Sequence, residues 1–225
     1  MLHYCLQILR AMSNIPKYTD SERVADGCVH ILSVSASVIA VGFLIYLSTS
    51  KLPTTSAISL IVYGVATVSV FSISAIYHLS TEPQWKDLLR RCDHAAIFMK
   101  IAGTYTPFAL VKMGGAVGYG FLACVWCIAV FGAGIKVWRP REYENVSLLL
   151  YLALGWAALV VLDPLISSVS SDVLLLLGIG GVFYTVGVVF YLWERLPYHN
   201  AIWHSFVLIG AGVHYFAVVN AFTVI

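Results

Sequence analysis

Long runs of apolar residues, broken by short clusters of proline, glycine and charge, fill the chain from residue 28 onward. The runs are continuous and do not alternate apolar with polar, which marks membrane helices and argues against a membrane β-barrel. A spanning helix needs about 20 mostly apolar residues. Seven stretches approach or meet that length: 28–47, 57–79, 95–112, 117–137, 146–162, 173–193 and 201–223. The breaks are Ser50-Lys51-Leu52-Pro53, Thr81-Glu82-Pro83, Gly114-Gly115, Arg139-Pro140-Arg141, Asp163-Pro164 and Arg195-Leu196-Pro197. Proline lacks the backbone N–H and glycine leaves the backbone free, so both stop helices. Asp163-Pro164 cuts the fifth stretch short. The pattern predicts an all-α protein, a seven-transmembrane-helix bundle over residues 28–225 behind a head of residues 1–27.

The head mixes Arg10, Lys17 and Arg23 with Asp20, Glu22 and Asp26 and has no cleavable apolar core. Leu2, Cys5, Leu6, Ile8, Leu9 and Met12 recur at helical spacing, which suits a short amphipathic helix on the membrane surface; a frayed tail suits the same residues. Lysine and arginine then set the orientation. The head and the loops after spans two, four and six hold Arg10, Lys17, Arg23, Lys86, Arg90, Arg91, Lys136, Arg139, Arg141 and Arg195, against Lys51 and Lys112 on the other side. The positive-inside rule therefore predicts a cytoplasmic amino terminus and a carboxy terminus facing out.

Composition agrees with lipid as the main solvent. Of the 225 residues, 60% are hydrophobic and 11% charged, where a soluble domain carries about 25% charged residues. A net charge of +2 from scattered cations gives no polyanion-binding surface, so nucleic acid is excluded as a partner. Membrane lipids are the expected partners. No soluble protein partner is evident, and the sequence leaves the oligomeric state open. Cys124 and Cys127 form a C-x-x-C inside span four with no second pair nearby, which reads as helix packing.

Ionisable groups inside spans are costly and ask for a reason. Six of the seven histidines fall near one leaflet: His3, His30, His78, His94, His199 and His204; His214 lies deeper. Ser74 and His78 are i and i+4, and so are Asn200 and His204, so each pair shares a helix face. Asp93 opens span three, and Lys100, seven residues on, lies about 10 Å deeper on the same face. Imidazoles and a carboxylate from three helices meeting at one depth suit a zinc ion, with a fourth position open for water. Each residue also has an ordinary reading. Asp93 and Asn200 can cap helices, Ser74 can bond its own backbone, Lys100 can pair with Asp93 or snorkel, and a histidine near a helix end can face water.

Ser74-Ala75-Ile76-Tyr77-His78 resembles the S-x-x-x-H signature of hemolysin III-like proteins and their progestin and adiponectin receptor relatives. Asp93 to Phe98 with Ile101 to Phe108 resembles the third-span signature of that family; Asn200 to Val207 with Val213-His214-Tyr215 resembles the seventh, and Glu22 to His30 the approach to the first. Short loops favour the bacterial hemolysin III branch. The resemblance implies a seven-helix bundle, a multi-pass protein of the bacterial inner (plasma) membrane. From the wider superfamily, which includes alkaline ceramidases, it implies zinc on His78 and His204, with Asp93 orienting or deprotonating the water and Ser74 supplying a hydrogen bond to the oxyanion or behind the ligands. The position four before His204 is Asn200 where that pattern has histidine, so the third ligand is open. It is expected to be His199, with His214, His30 or Asp93 as alternatives; Asn200 and Lys100 are expected to orient the ligands.

The function implied is a zinc-dependent hydrolase of a lipid amide or ester at the cytoplasmic leaflet, serving membrane lipid homeostasis. The alternative is a non-catalytic sensor of membrane state or a cytolytic, pore-forming hemolysin, although no span has a repeated polar stripe. A receptor fits least, because the outer loops leave a protein ligand little to grip.

Overall fold

The computed structural model describes residues 19–138 and 144–223, and every element in them is helical. The amphipathic helix expected over the first dozen residues lies outside these bounds. The first helix, α1 (Asp20–Lys51), begins eight residues ahead of the apolar run. Thr19 and Glu22 explain this early start: the Thr19 side chain accepts the Glu22 N–H while the Glu22 carboxylate accepts the Thr19 N–H, a reciprocal capping box. Leu52-Pro53 separates α1 from α2 (Thr54–Leu79). Pro83 opens α3 (Pro83–Pro107), where its missing N–H costs nothing. That helix widens into a π-helical turn, Phe108–Met113, and stops at Gly114 and Gly115, both with φ of 59°. α4 (Gly115–Trp138), α5 (Glu144–Gly155), α6 (Leu162–Ile166), α7 (Ser171–Leu192) and α8 (His199–Thr223) follow.

Among the described residues six segments are long and apolar enough to cross a membrane: Asp20–Ser48, Thr54–Leu79, Gly115–Trp138, Val146–Ile166, Ser171–Leu192 and His199–Phe222. The surface agrees with lipid as solvent. Ile39, Phe43, Phe131, Val160 and Leu175 point outward, while Ser33, Ser37, Ser59 and Thr67 are buried. Those hydroxyls donate to carbonyls three or four residues back in their own helices, at 2.7–2.9 Å, so they cost little inside the bundle.

The fifth stretch corrects the sequence reading. Asp163-Pro164 does not end a helix; Pro164 sits in the first turn of α6, where it is tolerated. The discontinuity lies earlier, at Gly155 and the 3₁₀ turn Ala157–Val161. A broken helix in lipid must have its freed backbone groups satisfied from within the protein. Tyr105 of α3 does this with one hydroxyl, donating to the Gly155 carbonyl at 2.7 Å and accepting the Ala158 N–H at 3.2 Å. Tyr105→Phe is expected to cost about 1–3 kcal/mol, because two backbone groups lose their partner; a thermal melt in detergent measures it.

The helices close around shared faces. α1 packs on α2 and α8, α2 on α3, α3 on α4, and α7 on α8. Gly103 lets α3 approach α2 closely, since a Cβ there would lie 2.6 Å from Ala66 Cβ. The largest buried cluster joins Leu44 of α1, Leu60 and Tyr63 of α2, and Ala217, Val218 and Phe222 of α8. This packing brings the start of α1, the end of α2 and the start of α8 to one end of the bundle.

Candidate metal centre

Asp26 and His30 are i and i+4 on α1, so one face carries both. His78 comes from the last turn of α2 and His204 from the second turn of α8. One ligand atom from each of the four lies within 4.8 Å of every other. Asp26 is the hub. Its Oδ1 is 2.6 Å from His204 Nδ1, and its Oδ2 is 3.4 Å from His78 Nδ1 and 3.6 Å from His30 Nε2. The imidazoles also pack against one another, with ring centroids 4.4–4.9 Å apart; His30 and His78 are stacked, and His204 meets them tilted and edge-on. Asp26, His30 and His204 are buried, and His78 is the most open of the four, with 21% of its side chain exposed.

A carboxylate buried among three imidazoles is a donor set for a borderline cation such as zinc, which binds nitrogen at about 2.0–2.1 Å and carboxylate oxygen at about 2.0–2.2 Å. His30 supplies the discriminating observation. Its Nε2 is buried and has no hydrogen-bond partner, a costly state for a ring nitrogen unless something else takes its lone pair. The residues present fit a metal ion.

Asp93, buried at the side of this cluster, lies near the Ser74 side chain and is close enough to His78 and His30 to interact electrostatically with both. Three other residues named from the sequence, His199, His214 and Lys100, stand apart from the cluster. His199 is the first residue of α8, with its Nδ1 buried and unpartnered. Its place five residues before His204 puts it on another face of the helix. His214 lies deeper in the bundle, with Nε2 3.1 Å from the Leu177 carbonyl and its ring against Gly180 of α7. Asn200 is the second residue of α8 and is half-buried. Lys100 does not reach Asp93: its Nζ donates to Thr104 Oγ1 at 2.7 Å and sits 5.0 Å above the Tyr63 ring.

Lys100 is 6% exposed, and no carboxylate among the described residues pairs with it. An ammonium buried without a counter-charge is costly, and an apolar side chain of similar length removes that cost. Lys100→Met is therefore expected to stabilise the folded protein by about 1–4 kcal/mol, read as a raised melting temperature in detergent.

Asp26 is the residue that the sequence reading passed over. It falls before the first apolar run and looks like one charge among the mixed charges of the head. The usable signal is its spacing from His30, the same i, i+4 relation that ties Ser74 to His78.

An all-helical membrane protein with a buried Asp/His₃ cluster at one end of its bundle is the class that fold and site define. The chain belongs to the haemolysin-III-related family, whose profile matches residues 20–215. It is 36% identical over 201 residues to the hemolysin-3 homolog of Bacillus subtilis (strain 168), covering 89% of this chain and 94% of that protein. Hemolysin-3 of Bacillus cereus is 37% identical over 198 residues, 88% of this chain and 90% of that protein. The human monocyte to macrophage differentiation factor is 30% identical over 166 residues, 70% of this chain and 67% of that protein. No solved structure matches the chain.

Proposed function

We propose that the protein is a zinc-dependent hydrolase of a lipid amide or ester, acting at the cytoplasmic leaflet and contributing to membrane lipid homeostasis. The observation that carries this reading is the junction of Asp26, His30, His78 and His204 with Asp93 and Ser74 beside it. In this reading α3 with its π-helical turn completes seven crossings, and α5 and α6 form a single broken one. The bias of lysine and arginine supports a cytoplasmic amino terminus and a carboxy terminus outside, and in this reading the membrane is the bacterial inner one.

Held by three of the four donors, a zinc ion would keep a position for water, supply Lewis acidity toward a carbonyl oxygen and lower the pKa of that water to about 7. The protein's own groups do the rest. Asp93 takes the proton of the attacking water and returns it to the departing amine or alkoxide. Ser74, beside Asp93, orients its carboxylate. His78, the most open ligand, marks the side on which a lipid carbonyl comes in. The products are a fatty acid and the amine or alcohol it was joined to.

The test uses full-length protein in vesicles containing long-chain lipid amides and esters, with released fatty acid measured by mass spectrometry. Zinc-loaded protein is expected to release fatty acid, a chelator to stop the release and added zinc to restore it. Metal-loaded protein that leaves every such lipid intact would overturn the hydrolase reading. A second reading would then hold, and one observation favours it: four protein donors can fill a tetrahedral shell, as in structural zinc sites. A protein with a closed shell would sense or adjust membrane state without turnover.

A further inference from the structure

We infer that Glu22 is the positioning residue of the metal centre, pinning the start of α8 to the start of α1 and so setting the height of His204 against Asp26. The inference rests on the metal-centre reading above. Glu22 Oε2 accepts both the Thr19 N–H and the Thr19 hydroxyl at 2.8 Å, which closes the cap of α1. Its other oxygen, Oε1, accepts the Tyr198 N–H at 2.9 Å, across a sequence separation of 176 residues. One carboxylate thus serves two helix starts, where the positive ends of both helix dipoles favour it.

Tyr198 makes this bond consequential. Among the described residues it is the one non-glycine residue with positive φ, at 62°, a conformation that crowds the Cβ of an L residue against the following carbonyl oxygen. Its carbonyl accepts the Ile202 N–H at 2.9 Å, so the residue held in the strained conformation is the residue that opens α8. The other bonds of this loop are internal to it: Leu196 N–H to Trp193 carbonyl at 2.9 Å and His199 N–H to Leu196 carbonyl at 3.1 Å. Neither ties the loop to α1.

The second rung between the same helices is the 2.6 Å contact of Asp26 with His204. Asp26 lies four residues beyond Glu22, about 6 Å along α1, and His204 lies six beyond Tyr198, about 9 Å along α8. Two rungs fix both the register and the tilt of one helix on the other. With the first rung removed, Tyr198 is free to relax to negative φ, the first turn of α8 shifts, and His204 moves relative to Asp26. Glu22 itself is not one of the clustered donors, so its effect on the metal is through geometry.

The experiment measures the zinc dissociation constant of detergent-purified full-length protein by competition with a chromophoric chelator. Glu22→Ala is expected to weaken zinc binding about tenfold, the size of one lost charge-assisted hydrogen bond. Glu22→Gln, which keeps an oxygen acceptor, is expected to lie between Glu22→Ala and the wild type. The double variant Glu22→Ala with Tyr198→Gly is expected to recover most of the loss, because glycine keeps positive φ at no steric cost. Tyr198→Gly alone and melting temperatures of all the variants complete the comparison, because glycine relieves the positive φ of Tyr198 whether or not Glu22 is present; recovery of zinc affinity beyond what the melting temperatures account for is the expected result. Wild-type affinity in Glu22→Ala, or no recovery in the double variant, overturns the positioning role and leaves the metal centre standing. A wild type that binds no zinc overturns both. Should Glu22→Ala not fold, Glu22→Gln alone and combined with Tyr198→Gly carries the same comparison.

Discussion

Replacing Asp26, His30, His78 or His204 with alanine will lower zinc retention by about 10²–10³-fold, while His199→Ala and His214→Ala will leave it near the wild-type value. The magnitude follows from structural zinc shells, whose total binding free energy of about 10–16 kcal/mol is shared among four ligands. Asp26 should stand at the upper end, because it is the one donor that contacts all three imidazoles. His199 and His214 serve as controls of the same chemistry, one on another face of α8 and one deeper in the bundle against Gly180. Acidification should act as the ligand variants do. Each donor must be free of its proton to bind a cation, so retention should fall as the medium is acidified. Zinc competition titrations on the purified variants measure all of these.

Asp93→Asn is expected to keep zinc and lose turnover by about 10²–10⁴-fold, the usual contribution of a positioned proton-transfer group. The amide has nearly the volume of the carboxylate and preserves the packing of a buried residue, but it cannot hold the proton of the attacking water. Ser74→Ala should cost less, because it loosens the Asp93 carboxylate without removing it. Zinc stoichiometry and fatty-acid release measured on the same preparations separate the two kinds of loss. A fall in zinc retention in Asp93→Asn as large as in His204→Ala would place Asp93 among the ligands and contradict its assignment as the base.

Helix ends set by local chemistry were legible in the sequence. Leu52-Pro53, Thr81-Glu82-Pro83 and Gly114-Gly115 all separate helices, because proline and positive-φ glycine act on their own backbone whatever surrounds them. The break in the fifth stretch was not legible. Its freed backbone groups are satisfied by Tyr105, about fifty residues away on α3, and no local pattern encodes that contact. The site divided the same way. His78 and His204 could be read from their motifs and common depth. His30 stood as an alternative ligand, and its partner Asp26 was hidden by a boundary drawn where apolar residues begin. The capping box at Thr19 and Glu22 carries α1 past that boundary, so a residue that looked like part of a charged head belongs to the helix that builds the site.

The most direct test of a metal ion held by Asp26, His30, His78 and His204 is X-ray absorption at the zinc edge on protein purified without chelator, with zinc content measured on the same sample. The expected result is one zinc per chain in a shell of nitrogen and oxygen at about 2.0–2.1 Å. Protein without stoichiometric metal, or a shell containing sulfur at about 2.3 Å, would contradict it.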